Sequence, residues 1–194
     1  MIIVIEGNDQ AGKKTQSELL ASRLKKNRIK TKIFHFPDYK TPIGQEIRKY
    51  LDGKRKFPPQ VIHCLLAANR WEKLEEIRKA HSENSILIMN RYYQSNLVYG
   101  VTNGLSLAWL KNLDEGLPKP DLVIVLDVSQ RDSFSRKKIH RDKFEKNTAF
   151  LNDISKTYRR LAKKFGWHVI DASRTKEEVH NSVMHVISKK IGRL

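Results

Sequence analysis

The most informative stretch of this sequence is IIVIEGNDQAGKKT, residues 2–15. It opens with an apolar run, Ile2–Ile5, that predicts a buried strand. The loop Gly7–Lys13 then fits the spacing G-x-x-x-x-G-K, and a helical pattern follows at once. The glycines of such a loop let successive backbone N–H groups face an anion, the helix adds the positive end of its dipole, and Lys13 adds a full charge. The segment therefore predicts a phosphate-binding loop between a strand and a helix.

Short apolar runs alternate with longer helical patterns along the whole chain. Strands are predicted at Ile2–Ile5, Thr31–Phe34, Ile86–Met89, Leu122–Leu126 and His168–Ile170. Helices are predicted at Lys13–Lys26, Ile43–Leu51, Pro59–Ala80, Leu105–Leu113, Asn147–Phe165 and Lys176–Ile191. Apolar strands that alternate with helices are typical of a parallel sheet covered on both faces. The sequence predicts an α/β fold of three layers, with a five-stranded parallel sheet flanked by helices, in a single domain over residues 1–194.

The composition limits the class of protein. The chain has 194 residues, 38 Lys or Arg against 21 Asp or Glu, a formal net charge of +17, and a single cysteine, Cys64. One cysteine excludes a disulfide within the chain and favours a reducing compartment, so we expect a cytoplasmic protein. No apolar run approaches the roughly 20 residues of a membrane span, so no membrane partner is expected. The basic residues are spread through the predicted helices rather than gathered in a tail, so we do not expect a nucleic acid as the main partner.

Several short motifs beyond the phosphate loop occur in a characteristic order. They are Asp9 within the loop, Phe36-Pro37, Ile43-Gly44 with Arg48, Ala68–Glu72, Arg91-Tyr92 with Ser95 and Tyr99, Gly116–Leu122, Arg141-Asp142 with Phe144-Glu145, and Val169–Ala172. With these motifs the chain resembles the thymidylate kinase family, which consists of P-loop nucleoside monophosphate kinases. The resemblance runs nearly from end to end, and the runs ANRWE at 68–72 and GLPKPDL at 116–122 are its most specific parts.

The resemblance implies a function and a set of partners. It implies transfer of the γ-phosphoryl group of ATP to dTMP, giving dTDP, with Mg²⁺ bound alongside ATP. It also implies a P-loop NTPase fold, a homodimer, and a basic lid at about residues 131–146, a segment with seven Lys or Arg and three Asp or Glu. Closure of such a lid would bring arginines onto the transferred group and exclude water. The alternative for this segment is a solvated basic helix end.

The resemblance also assigns candidate site residues. The ATP-binding set is Gly7, Asn8, Asp9, Gln10, Ala11, Gly12, Lys13, Lys14 and Thr15. The acceptor-binding set is Asp9, Phe36, Arg48, Leu66, Arg70, Arg91, Ser95 and Tyr99. The catalytic set is Lys13, Arg91, Arg136 and Arg141, in which the arginine forks suit phosphoryl oxygens. The candidates for contact with the metal, through water, are Thr15 and Asn90.

The residues by themselves leave other roles open for several of these side chains. Arg70 lies mid-helix in an apolar stretch, so it either pairs with an internal carboxylate or faces a ligand, and in the family this arginine reads the thymine edge. Asp9 could form a turn, whereas the resemblance gives it the acceptor sugar. Arg48 could lie on a solvated helix face, and Tyr99 could belong to the core. Arg91 follows a predicted strand, at the edge where parallel sheets bind ligands.

Four positions depart from the pattern that the resemblance implies. Lys14 stands where a phosphate loop usually has Ser or Thr to touch Mg²⁺, and Leu66 stands where many members have phenylalanine. Tyr39 stands in place of an arginine near the acceptor phosphate. Asn90 stands in place of an aspartate, so a negative charge near the metal is missing. These departures leave two alternatives open, a kinase for another nucleotide or nucleoside and a nucleotide-binding protein without turnover.

Overall fold

Five strands form the centre of the structure. The computed structural model describes residues 1–83, 85–128 and 148–191, so the predicted lid at 131–146, with Arg136 and Arg141, lies outside the described residues. The strands are β1 Ile2–Gly7, β2 Thr31–His35, β3 Ile86–Asn90, β4 Leu122–Asp127 and β5 His168–Asp171. The helices are α1 Lys13–Lys26, α2 Pro42–Leu51, α3 Pro59–Trp71, α4 Leu74–Ser82, α5 Tyr93–Thr102, α6 Leu107–Asn112, α7 Thr148–Phe165 and α8 Lys176–Ile191. Among these helices, none combines the length and the apolar character that a membrane span requires.

The strands lie in one sheet in the order β2-β3-β1-β4-β5, and every neighbouring pair is parallel. β1 lies at the centre, where Ile3 pairs with Ile88 on one side and with Leu122 on the other. Parallel strands place their carboxyl ends at the same edge of the sheet, which is where ligands bind in such folds. The phosphate loop follows β1 at this edge.

Alternate residues of β1 contribute to two separate cores. On one face Ile3 and Ile5 pack with α1 and α8, and on the other face Ile2 and Val4 pack with α4 and with Tyr92. Because successive side chains of a strand point to opposite faces, a strand covered by helices on both sides has to be apolar throughout. This arrangement confirms the predicted three-layer α/β fold with five parallel strands.

The predicted helix Pro59–Ala80 is wrong in one respect, because the structure has two helices there, α3 and α4. The Lys73 N–H bonds to the Arg70 carbonyl at 3.0 Å, three residues back, which tightens the last turn of α3. The Glu72 carboxylate accepts a hydrogen bond from the Thr41 hydroxyl at 2.7 Å, in the loop before α2. Neither proline nor glycine marks the break. We attribute it to this contact with a distant loop, which helical periodicity does not reveal.

Helix α5 is absent from the predicted helices. Its sequence, YQSNLVYGVT, is poor in strong helix formers and contains Gly100, so local propensity does not indicate a helix. A Cβ on Gly100 would lie 2.5 Å from the side chain of Leu110, so a larger residue there would displace Leu110 of α6. The predicted helix Leu105–Leu113 is shorter in the structure, where the Ser106 side chain caps α6. Tertiary packing therefore decides this part of the fold.

Candidate active site

The phosphate loop adopts a backbone conformation that requires glycine at its first position. Gly7 has φ 136°, and a Cβ there would lie 2.2 Å from the carbonyl oxygen of Leu126. Gly12 has φ 88° and directly precedes α1. Lys13 is buried, and its Nζ donates a hydrogen bond to the carbonyl oxygen of Asn8 at 2.6 Å. The loop thus combines a helix N-terminus with a lysine folded back onto it, which is an arrangement that binds anions.

A cavity of about 940 Å³ opens beside this loop. Residues 9–15 of the predicted ATP-binding set line it, whereas Gly7 and Asn8 do not. The cavity also reaches Asn90 at the end of β3, and it reaches Arg174 and Lys176 near the start of α8. A volume in this range is typical of small-molecule sites, and the basic lining favours an anionic ligand. We call it the donor cavity.

A narrower cavity of about 110 Å³ adjoins the donor cavity. Its lining is mainly apolar and includes Phe36, Ile62 and Leu66, with Arg70 and Ser95 among its polar members. The residues that line both cavities are Asp9, Phe36, Pro37, Tyr39 and Arg91. We call the narrower space the acceptor cavity, because two cavities that meet beside a phosphate loop suit two ligands that exchange a phosphoryl group.

Arg91 stands directly after β3 and lines both cavities. Its Nη2 pairs with Oδ1 of Asp9, and its Nη1 donates to Ser95 Oγ at 3.0 Å. Asp9 Oδ1 also lies 3.8 Å from Nζ of Lys13. Burial alone would raise the pKa of Asp9, but the charges of Arg91 and Lys13 outweigh burial and hold the pKa below its ordinary value. An ionised Asp9 therefore joins the lysine of the phosphate loop to the arginine at the acceptor cavity.

Arg70, on α3, lines the acceptor cavity and has an internal partner as well. Its Nε donates to Oδ1 of Asp114 at 2.7 Å, its Nη2 donates to Oδ2 at 2.9 Å, and both side chains are only 3% exposed. Nη1 of the guanidinium takes no part in this bidentate pair. The sequence left two roles open for Arg70, an internal ion pair or a place facing a ligand. In the structure Arg70 both pairs with Asp114 and lines the acceptor cavity.

Arg48 lines neither of the two cavities. It lies on α2 with its side chain 58% exposed, and its Nε is 3.0 Å from Oδ1 of Asp52. Its guanidinium carbon lies 5.4 Å from the ring centroid of Tyr39, whose side chain lines both cavities. Arg48 contacts Tyr39, which lines the cavities, but does not line them itself. Its contact with an acceptor phosphate therefore stays a prediction.

Asn90 and Thr15, the two metal candidates, both line the donor cavity. The Nδ2 atom of Asn90 lies 3.0 Å from Nδ1 of His35. Desolvation and the charge of Lys14 lower the pKa of His35 against the opposite effect of nearby carboxylates, so the neutral ring accepts at Nδ1. Within the described residues, no cluster of three or more His, Cys, Asp or Glu is arranged to hold a metal. The side-chain amide oxygen of Asn90 and the hydroxyl oxygen of Thr15 are the kind of ligand that fits a Mg²⁺ ion held mainly by phosphates and water.

The chain is similar to known proteins over nearly its whole length. The family model named thymidylate kinase matches residues 5–183. The chain belongs to the thymidylate kinase family. It is 36% identical over 192 residues to a thymidylate kinase of Schizosaccharomyces pombe, covering 96% of this chain and 91% of that protein. It is 35% identical over 185 residues to a thymidylate kinase of Homo sapiens, covering 94% and 87%. A solved thymidylate kinase structure from Candida albicans matches with a TM-score of 0.87 at 27% identity, covering 98% of this chain and 92% of that one.

Membership of the thymidylate kinase family confirms the family predicted from the sequence. The structure brings seven of the eight predicted acceptor-binding residues together in the wall of the acceptor cavity, which are Asp9, Phe36, Leu66, Arg70, Arg91, Ser95 and Tyr99. The exception is Arg48. Of the predicted catalytic residues, Lys13 and Arg91 are linked through Asp9, and Arg136 and Arg141 lie outside the described residues.

Sequence reasoning missed Asn69, which is fully buried inside the ANRWE motif of this thymidylate kinase family member. Its Oδ1 accepts from the Asp38 N–H at 2.7 Å, and its Nδ2 donates to the Thr41 hydroxyl at 2.9 Å. These bonds fix the loop that carries Phe36 and Pro37 into both cavities. A polar residue beside an arginine in an apolar helix was the available signal.

Sequence reasoning also missed His63, which joins the two helices that wall the acceptor cavity. Its Nδ1 lies 2.5 Å from Oδ1 of Asn96, and Nδ2 of Asn96 donates to the His63 carbonyl at 3.2 Å. Burial lowers the pKa of His63, so the ring is neutral and its Nδ1–H donates to the amide oxygen. The contact holds α3 against α5, and these helices carry Arg70 and Ser95.

Proposed function

We propose that this chain transfers the γ-phosphoryl group of ATP to dTMP, giving ADP and dTDP. One observation carries the proposal, the meeting of the donor and acceptor cavities at Asp9 and Arg91, within reach of Lys13. Phosphoryl transfer needs little covalent help from the protein, because it depends on positioning and on stabilisation of charge. Two joined cavities with a lysine and an arginine at their junction provide both.

On the acceptor side, we assign the phosphate of dTMP to Arg91 and its sugar to Asp9. The thymine base then lies between the apolar side chains of Phe36 and Leu66, with Arg70 at the polar edge of the ring. A guanidinium that already gives two donors to Asp114 keeps Nη1 for an oxygen of the base. Ser95 and Tyr99 support Arg91 through contacts at 3.0 and 3.5 Å.

On the donor side, we assign the β- and γ-phosphates of ATP to the loop N–H groups and to Lys13. When Mg²⁺ is bound with ATP, it neutralises charge on the phosphate oxygens, and Thr15 and Asn90 are the residues that would hold it through water. Lys14, which is exposed beside the donor cavity, adds a further charge near the same phosphates. We keep Arg136 and Arg141 as the proposed catalytic arginines of a lid.

We also propose a homodimer in the cytoplasm. On α3, Val61 is 41% exposed and Cys64 is exposed one turn later, which leaves an apolar strip that a second copy would cover. The only cysteine of the chain is this exposed thiol, which suits a reducing compartment. Sedimentation of the wild type beside Val61→Glu tests the dimer, since a charge in the strip should give a monomer.

A panel of acceptors tests the activity. The wild type is incubated with ATP and Mg²⁺ and with dTMP, dUMP, dCMP, dGMP or thymidine, and the release of ADP is measured. We expect dTMP to give the highest kcat/KM. Lys13→Ala is the matched control, because it should abolish most of the release with every acceptor.

Two other outcomes would replace the proposal. A clear preference for another monophosphate would make the chain a kinase for that nucleotide, as Leu66 and Tyr39 in the acceptor cavity would allow. Tight binding of ATP without release of ADP for any acceptor would make it a nucleotide-binding protein without turnover.

A further inference from the structure

Glu6 is a fully buried carboxylate at the end of β1, one residue before the phosphate loop. Its Oε1 accepts hydrogen bonds from the backbone N–H groups of Tyr92 and Ser95, at 2.9 and 3.0 Å. Its Oε2 accepts from the hydroxyls of Ser95 and Tyr158, at 2.6 and 2.8 Å. Four donors thus converge on one carboxylate, which offsets the cost of burying its charge.

The two hydroxyls that donate to Glu6 also contact Arg91. Nη1 of Arg91 lies 3.0 Å from Ser95 Oγ and 3.5 Å from Tyr158 Oη. A hydroxyl has one proton and two lone pairs, so a hydroxyl that donates to Glu6 can only accept from the guanidinium. Glu6 therefore sets the direction of both hydroxyls, and both present lone pairs to Arg91.

Glu6 also fixes the backbone on which Arg91 stands. Arg91 has φ 64°, a left-handed conformation that is uncommon for a residue with a side chain. The N–H groups of Tyr92, which follows Arg91 directly, and of Ser95 lie at the start of α5, and both donate to Glu6 Oε1. A negative charge at the N-terminus of a helix is stabilising, so Glu6 acts as a cap supplied by a distant strand.

We propose that Glu6 is the positioning residue that orients Arg91 toward the acceptor phosphate. It acts by two routes, through the start of α5 and through the hydroxyls of Ser95 and Tyr158. Among the described contacts Glu6 forms no direct hydrogen bond or ion pair with Arg91, so it acts on the guanidinium through these two routes and through its charge at longer range. The inference rests on the proposed function, since it concerns the phosphate of the same acceptor.

Glu6→Gln tests the direction of the hydroxyls with almost no change in volume. The new amide nitrogen must face either the backbone N–H groups of Tyr92 and Ser95 or the hydroxyls of Ser95 and Tyr158. In the first case an NH₂ group would face two N–H donors, which is unfavourable. In the second case the amide donates, the hydroxyl protons turn toward Arg91, and the guanidinium is repelled. We expect the Kd of dTMP to rise roughly 10-fold, in line with the loss of hydrogen bonds to a charged group. The Kd of thymidine should change less than about 2-fold, because thymidine lacks the phosphate to which we assign the guanidinium of Arg91.

Tyr158→Phe is the second variant, in case Glu6→Gln fails to fold. It removes one hydroxyl and keeps the ring, so the Kd of dTMP should rise about 3-fold and thymidine should again be unaffected. Thr157→Val is the matched control on the same helix, α7. The Thr157 hydroxyl is buried and bonds to the Thr102 hydroxyl at 3.0 Å, away from Arg91. This control should lower the Tm without changing the ratio of the dTMP and thymidine affinities.

Calorimetric titration of each protein with dTMP and with thymidine decides the matter. Selective loss of dTMP affinity in Glu6→Gln or Tyr158→Phe supports the positioning role. Equal loss of both affinities, or no loss in either variant, overturns it, since Glu6 would then be a structural cap only. If the wild type binds neither dTMP nor thymidine, the proposed function itself is wrong. If the wild type binds both and the variants bind them with unchanged affinity, only the positioning role of Glu6 is wrong.

Discussion

The phosphate loop and the wall of the acceptor cavity are built in different ways. The phosphate loop beside the donor cavity is one continuous segment between β1 and α1. The acceptor cavity is lined from the phosphate loop, the loop after β2, the helices α2, α3 and α5, and the end of β3. Local backbone geometry fixes a continuous loop, whereas buried polar contacts between distant elements hold the assembled wall. Substitutions of side chains in the phosphate loop should therefore change mainly turnover, and substitutions in the acceptor wall should change stability as well.

The largest expected effect concerns the acceptor wall at Arg70. Arg70→Ala leaves Asp114 buried without its partner, which should cost about 3–5 kcal/mol of the free energy of unfolding. The affinity for dTMP should fall as well, while that for ATP should stay unchanged. Chemical denaturation and calorimetric titration with each nucleotide measure the three quantities.

The double variant Arg70→Met with Asp114→Leu separates the two roles of this arginine. It removes both charges and keeps the volume similar, so most of the stability should return. The affinity for dTMP should remain low, because the base has lost its donor. Recovery of dTMP affinity in the double variant would make Arg70 a structural partner of Asp114 alone.

On the donor side, Lys13→Ala should lower kcat by about 10²–10³-fold, because a charge that acts on the transferring phosphates is lost. The Tm should change little, since the loop glycines and the start of α1 remain. Steady-state kinetics and a thermal melt measure the two effects. Near-normal turnover by the folded variant would remove Lys13 from the catalytic set.

Asn90→Asp tests the metal side of the donor cavity. The new carboxylate should lower the Mg²⁺ concentration that gives half the maximal rate by about 10-fold, as changes beyond the direct metal ligands typically do. His35→Ala is the control, because it removes the hydrogen-bond partner of Asn90 without adding a charge near the metal. Coincident Mg²⁺ curves for the wild type and Asn90→Asp would mean that Asn90 only ties β3 to β2.

The smallest expected effect concerns pH and His63 in the acceptor wall. Burial lowers the pKa of His63 in the folded protein from its ordinary value of 6.5. Near this pH the unfolded chain therefore binds a proton at His63 more readily than the folded chain does. Stability should therefore be intact above that value and should fall as the pH drops below it. Between about pH 7.5 and pH 5.5, His63→Asn should lose less free energy of unfolding than the wild type loses. Urea denaturation at the two pH values measures the difference, and equal losses would contradict a neutral His63.

The phosphate loop could be predicted from the sequence because its requirements are local. The apolar β1 segment, the spacing of Gly7 and Gly12, and Lys13 at the start of a helix all depend on neighbours along the chain. The alternation of apolar strands with helical patterns likewise indicated the parallel sheet. The strand segments were recovered for the same reason, since burial on both faces leaves an apolar run that is visible in the sequence.

The sequence by itself determined the fold class, and it named most of the side chains that we propose for the site. Tertiary structure decided which of them meet. Asp114 lies 44 residues from Arg70, and Glu6 lies 152 residues from Tyr158, so no local pattern links these pairs. Helix α5, which helix propensity does not indicate, begins where Glu6 accepts hydrogen bonds from the N–H groups of Tyr92 and Ser95, directly after the left-handed Arg91. Packing brings distant segments together and removes water from their polar groups. Each buried polar group then needs a hydrogen-bond partner from the protein, and that partner can lie far away along the chain.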